Sequence, residues 1–220
     1  MSSFLERTYH LKESPFKQKS AFFDLLPTWA NREEQIKQWN KILDDSVKTT
    51  SANYIVLIVG DYGMGKSLSL LKIYQEAKDR KIHYPVLTTF LSEQRIKNPG
   101  LDFIFRIFRQ IDFKDFNIKK ESLDVLNELD PEVKIIFNHI LFGNEDIKKI
   151  ALAYFRGEIS PTQKQLKDLE VIRKITDLDL LLLYLIGLLY IIKKSGFSNF
   201  TIIIDEFEYV FSLVSRSSQP

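Results

Sequence analysis

Eight consecutive residues can do phosphate chemistry. Gly60-Asp61-Tyr62-Gly63-Met64-Gly65-Lys66-Ser67 fits the pattern G-x-x-x-x-G-K-[ST]. Three of the chain's eight glycines fall here. Glycine lets the backbone curl until successive N–H groups converge on one centre, where an anion can sit. A helix that begins at Lys66 adds its positive N-terminal end. Lys66 is placed to reach the β- and γ-phosphates of a nucleotide, and Ser67 to ligate Mg²⁺. With Leu68, these residues form the expected nucleotide-binding set, and Lys66 is also assigned a catalytic part. The plain structural alternative is a glycine-rich strand–helix turn that holds nothing.

A second chemical element lies far downstream. Thr201-Ile202-Ile203-Ile204 runs into Asp205-Glu206. An apolar strand that ends in an acid is the Walker B arrangement: Asp205 holds the Mg²⁺ shell and Glu206 polarises the attacking water. Adjacent residues at a strand end point in different directions, so two neighbouring carboxylates can take two roles. Taken alone, the acids serve equally well as the N-terminal acids of a helix over "EFEYVFSLV". The upstream phosphate loop tips the choice toward catalysis. Glu208 is the rival base.

These two elements need a scaffold. "ANYIVLIVG", ending at Gly60, is β-branched and too short for a helix, so it reads as a fully buried strand. Residues 66–80 read as a helix, 82–91 as a second strand and 100–111 as an amphipathic helix. Residues 114–194 read as helical almost throughout, with breaks at Pro131, Gly143, 155–158 and Pro161. A last strand leads to Asp205. Helical crossovers between strands imply a parallel sheet, here of three strands with one unprotected side. Upstream, "PTWANREEQIKQWNKILDD" turns helical after Pro27, with Ile36, Trp39, Ile42 and Leu43 on one face.

Composition removes several alternatives. The 220 residues carry 31 basic and 29 acidic side chains, a net charge of +2, which does not announce a nucleic-acid binder. With no cysteine, disulfide frameworks and thiolate metal sites are excluded. The three histidines lack ligand spacing. The polar start "MSSFLERTYHLKES" shows no secretory signal, so the reading is cytoplasmic. The apolar run Leu180–Ile192 is too short to span a bilayer, for which about 20 residues are needed, and is expected to be a helix buried on all sides.

The Asp-Glu pair, rather than a lone Asp, favours phosphate-loop ATPases of the additional-strand type, with 82–91 expected between the phosphate-loop strand and the Asp205 strand. "LPTWANREEQIKQW" resembles the N-terminal box of AAA+ ATPases of the Orc/Cdc6 and helicase-loader type. The resemblance implies adenine contacts from Leu26, Pro27 and Arg32; Asn31 stands where that box usually has glycine. An ordinary helix N-terminus is the equal alternative. Residues 140–213 are similar to the ATP-binding proteins of BREX-type phage-defence operons, through "ALAYFRGEISPTQ", the apolar helix and "KKSGFSNFTIIIDEFEYV". Phe197 and Asn199 stand where that family tends to have Tyr and Gly. Within the Arg156-Gly157-Glu158 turn, Arg156 contacts a neighbouring subunit or a DNA phosphate, or else Gly157 ends a helix and Arg156 pairs with Glu158 or caps carbonyls; the second reading is preferred. "FKDFNIKKES" at 113–122 is read as a snorkelling face rather than a base-stacking one.

The expected fold is therefore α/β, a P-loop NTPase core with a parallel sheet and a large helical insertion between Walker A and Walker B. Its expected parts are 1–50 (a segment and helix bordering the nucleotide), 51–112 (the phosphate-loop strand–helix–strand–helix), 113–196 (the helical insertion) and 197–220 (the Asp205 strand and the loop after it). The expected ligands are ATP and Mg²⁺. The resemblance implies an ATPase or ATP-driven switch working with DNA-associated partners, in phage defence or in replication and loading, with DNA itself a candidate ligand and no membrane. No sensor strand follows Asp205 and Arg216 is a poor arginine finger, so the chain reads as the first part of a longer or reduced ATPase. Hydrolysis is expected to be slow in isolation, with the finger supplied by a homo- or hetero-oligomeric partner. The competing function is a non-hydrolysing, nucleotide-dependent scaffold.

Overall fold

A computed structural model of the chain describes residues 32–48, 54–61, 63–89 and 98–207. The chain divides into two compact units, Met1–Glu76 and Ala77–Pro220. In the first unit, α1 covers Glu33–Lys48, with Glu33 and Glu34 in its first turn and Lys48 in its last. Those signs suit the helix dipole. Helix α2, Lys66–Asp79, begins at the end of the glycine-rich loop, and the division between the units falls in its last turn.

The second unit is mostly helical. After β1 (His83–Thr89) come α3 (Pro99–Arg109), two 3₁₀ turns at Phe113–Asp115 and Lys120–Leu123, then α4 (Leu126–Leu129), α5 (Pro131–Phe142), α6 (Glu145–Phe155), α7 (Gln163–Asp168) and α8 (Leu178–Lys194). Strand β2, Asn199–Asp205, closes the described part. The helix starts are written in short polar side chains. Asn98, Asp130, Asn144, Thr162 and Asp177 each accept a backbone N–H from the first turn of the helix they precede. Thr162 and Gln165 complete a reciprocal capping box. Asp130 is also gripped by the Arg173 guanidinium. Burial works to raise the Asp130 pKa, but the Arg173 hydrogen bond and charge, with the N–H groups of Glu132 and Val133, outweigh it and hold the carboxyl below the usual range.

Two helices stop on left-handed glycines. After α6, Gly157 has φ +63°, with Gly157 N–H on Tyr154 O and Glu158 N–H on Ala153 O. After α8, Gly196 has φ +96°, with Gly196 N–H on Lys193 O and Phe197 N–H on Ile192 O. Both are Schellman closures, which satisfy the carbonyls that a helix end leaves over.

The sheet of the described residues has two strands. β1 and β2 run parallel, with His83 opposite Asn199 and Thr89 opposite Asp205. Tyr84 and Val86 turn into a core shared with α3, α5, α6 and α8. At its centre Phe108 and Phe155 stack with centroids 4.1 Å apart. Tyr84 lies 5.1 Å from Phe116 and 5.2 Å from Phe197, ring centre to ring centre, and its hydroxyl accepts the Asp112 N–H at 3.0 Å. Burial raises the pKa of that hydroxyl.

Three expectations need correction. Residues 54–60 form no strand, and all but the half-buried Ile58 are exposed: Ile55 is 97% and Val59 82% accessible. A strand needs a partner ladder, and among the described residues both strands belong to the other unit. The expected third strand of the sheet is thus not formed by this segment. Second, 114–130 is not continuous helix. Phe113, Phe116, Leu123 and Leu126 are buried from short turns, and Asp112 caps one of them by accepting the Lys114 N–H. Local side-chain hydrogen bonds of this kind compete with the helix ladder. Third, α8 is not buried on all sides. Leu178, Leu182, Ile186 and Leu189 form an exposed stripe, whereas Leu181, Tyr184, Leu188 and Ile191 face the core. Among the described residues no helix is long and apolar enough to cross a membrane.

Two outcomes follow from this packing. A Cβ placed on Gly187 of α8 would lie 2.7 Å from Phe137 Cε2 and 2.9 Å from Val133 Cγ1 of α5. Alanine is the better helix former by about 1 kcal/mol. The wedge between two buried side chains costs about 1–3 kcal/mol and should win. Gly187→Ala is therefore expected to lower the urea midpoint; a midpoint at or above wild type would show that the two helices separate easily. Burial also pushes the Tyr154 hydroxyl up to about 12, while that hydroxyl donates to Arg173 O at 2.7 Å. The folded value lies above the ordinary 10.0. This contribution is complete below pH 10 and is lost as pH rises through the folded value. Alkaline titration should therefore show unfolding that Tyr154→Phe makes less steep.

Candidate nucleotide site

The glycine-rich loop belongs to the first unit and is built by its own backbone. Gly63 has φ +82° and Gly65 φ +75°. Both lie in the left-handed region that a side chain resists. Among the described residues a Cβ on Gly63 would meet nothing within 4 Å, so conformation rather than crowding favours glycine there. Met64 N–H closes on Asp61 O at 3.3 Å, which tightens the turn ahead of the helix. The first ladder bond of α2 is Ser69 N–H to Gly65 O, 2.9 Å. The amides of Lys66, Ser67 and Leu68 consequently begin the helix without an intrahelical acceptor. Donors, dipole and an open approach thus coincide at one loop.

Lys66 folds back over the loop. Its Nζ donates to Gly60 O at 2.8 Å and to Asp61 O at 3.1 Å. An ammonium has three donors, so one remains for an anion. Ser67 follows on the first turn of α2, half-buried. Asp61, Gly60, Gly63 and Met64 are exposed, and Tyr62 lies outside the described residues.

Arg32 also reaches the loop. Its Nη2 donates to Met64 O, and its Nη1 lies 3.4 Å from Ser69 Oγ. A Cβ on Gly65 would come to 3.3 Å from Arg32 Nη2. The resemblance implied an adenine contact for Arg32; the structure places its guanidinium against the backbone of the glycine-rich loop. Leu26 and Pro27 lie outside the described residues. Ser69 was missed. Its hydroxyl donates to Gly65 O at 2.9 Å, so it ties the loop's last glycine to the helix and accepts from Arg32. A serine four residues after a glycine at a helix start was the available signal, because serine bonds back to the i−4 carbonyl.

Asp205 and Glu206 belong to the second unit. Asp205 ends β2, opposite Thr89. Its Oδ1 accepts the Glu206 N–H at 2.9 Å, which orients the carboxylate along the turn. Glu206 has φ +57°. A non-glycine residue pays about 1–2 kcal/mol to sit there. Such outliers cluster at functional sites. Asp205 is half-buried and Glu206 exposed. Glu208 and Arg216 lie outside the described residues. Among the described residues no three His, Cys, Asp or Glu side chains gather as a metal cluster.

Among the described residues, Arg156 caps a backbone carbonyl and pairs with no acid. Arg156 Nη2 donates to Ile111 O at 2.8 Å, and Arg109 Nε donates to Arg156 O at 3.1 Å. These bonds fasten the end of α6 to the end of α3, which agrees with the structural reading of the turn.

Neither the comparison with curated proteins nor that with solved structures gives a match. The sequence model of one family does match, over residues 122–219. That stretch takes in the Arg156 turn, α8 and the Asp205-Glu206 pair, while the phosphate loop lies upstream of it. The family is described as BREX system ATP-binding protein BrxC/D, and the match supports a similarity of this chain to ATP-binding proteins of the BREX type.

Proposed function

We propose that the chain binds Mg-ATP through residues 60–68 and serves as an AAA+-like ATPase subunit or ATP-dependent switch in phage defence, alongside DNA-associated partners. The observation that carries the reading is the loop itself: two left-handed glycines, a lysine and a helix N-terminus at one place. The residues present fit a polyphosphate. The N-terminal amides of α2 and the remaining Lys66 donor can engage phosphate oxygens, and the Ser67 hydroxyl is a hard oxygen ligand of the kind Mg²⁺ prefers. Bound Mg²⁺ supplies positive charge at phosphate oxygens.

The roles of the chain's own groups follow from their chemistry. Lys66 trades its hold on the Gly60 and Asp61 carbonyls for the phosphates, which keeps the loop closed until nucleotide arrives. Asp205 serves the Mg²⁺ shell. Glu206 accepts a hydrogen bond from water and orients it for attack, as general-base carboxylates do. Turnover by the isolated chain is slow, and an arginine from a partner subunit raises it; such a group is worth about 10³ to 10⁵ in rate.

Two measurements check the reading. Mg-ATP should raise the melting temperature, since ATP at about 100 times its Kd adds about 2.7 kcal/mol to the stability of the folded state. Lys66→Ala should melt like wild type without nucleotide and lose the shift; an unchanged shift would place the nucleotide elsewhere. Glu206→Gln should keep the ATP-induced shift and abolish phosphate release. If the wild type keeps the shift but releases no phosphate even in an assembled complex, the protein is a nucleotide-dependent scaffold and not an ATPase.

A further inference from the structure

A part-open cavity of about 180 Å³ lies in the second unit, between the Phe113–Asp115 turn, the end of α5 and the face of α6. Phe116, Phe142 and Leu152 are among its apolar lining residues, and Lys114, Lys148 and Arg156 are its basic ones. The only acid in the lining is Asp112. That carboxylate already accepts the Lys114 backbone N–H at 3.0 Å. Among the described residues, none of the three cations has a carboxylate within ion-pair distance, although α5, α6 and the turns before them carry several acids.

Arg156 shows why this matters. Its Nη2 is committed to Ile111 O, and its Nε is shut off from solvent with no acceptor. Arg156 is half-buried, and beside an apolar wall a charge is screened less well than in bulk water. A nearby anion offsets that cost. An apolar cavity of about 150 Å³ is enough for a benzene ring. The volume here admits a ring-sized apolar body and a small charged head.

We propose that this cavity is a binding site for a small carboxylate with a ring-sized apolar body, seated with its ring among Phe116, Phe142 and Leu152 and its carboxylate toward Lys114, Lys148 and Arg156. The residues that line it all belong to the second unit, and the glycine-rich loop to the first. Recognition by charge on one side and by apolar surface on the other is the usual composition of a small-molecule pocket. The basic groups choose the anion, and the size of the cavity limits the ligand.

Phenylacetate is the probe, with phenylacetamide as its neutral twin. Phenylacetate should bind the full chain with a Kd of about 1 mM, the range expected for a ligand of this size. Its NMR amide shifts should gather on residues 113–118 and 140–156. Phenylacetamide should bind about tenfold more weakly, as loss of a charged hydrogen bond implies. Lys148→Gln, and separately Lys114→Gln, should each weaken phenylacetate and leave phenylacetamide unchanged. Lys66→Ala should leave both unchanged. The lysines are surface or half-buried, so these variants retain the fold. No binding at about 10 mM phenylacetate, equal affinity for the two probes, or indifference to both lysine substitutions would each overturn the assignment.

Discussion

Phe155 is the contact on which the second unit depends. It is fully buried at the last residue of α6 and meets rings from four other segments. Phe108 of α3 stacks on it at 4.1 Å, Phe137 of α5 lies at 5.4 Å, Phe113 of the first 3₁₀ turn at 5.5 Å and Tyr184 of α8 at 6.1 Å. Offset and edge-on aromatic pairs each add about 0.5–1.5 kcal/mol beyond the area they bury. The chain must then leave the core at once, and the left-handed Gly157 turns it out. A Cβ at Gly157 would strike Phe105 at 2.7 Å, so the turn and the aromatic cluster fit only with glycine there. Arg156, between the two, is fixed against Ile111 by the same geometry.

Much of this was legible in the residues. The glycine-rich loop stood out because the chemistry expected of it demands glycine, lysine and serine at fixed spacing, and Gly63 and Gly65 are left-handed in the structure. The helix stops at Gly157 and Gly196, and the breaks at Pro131, Gly143 and Pro161, follow from local backbone rules that hold in any context. The parallel pairing of 83–89 with 199–205 was implied by helical crossovers.

What was not legible depended on partners distant in the chain. Residues 54–60 carry strand composition, but composition cannot supply the neighbouring ladder, and the segment is exposed. Leu182 and Leu181 are the same residue type on one helix; only packing decides that the first faces outward and the second inward. Gly187 looks like a weak point in an apolar helix until the approach of Phe137 and Val133 is known. Glu206 gave no hint of its positive φ, since glutamate is not a residue that favours it.

The two-stranded sheet also constrains the order in which the molecule can assemble. β1 and β2 are neighbours in space, yet residues 90–198 lie between them in the chain. Closing a loop of that length in an unstructured chain costs about 4 kcal/mol of entropy, and the ladder it joins is short. Helices α3 to α8 shorten that path once they have packed around Phe155, after which the strand ends are close. Asp205 therefore reaches its place late, as the product of helical folding rather than its nucleus, and any slowing of the helical core delays the arrival of the carboxylates at the strand end.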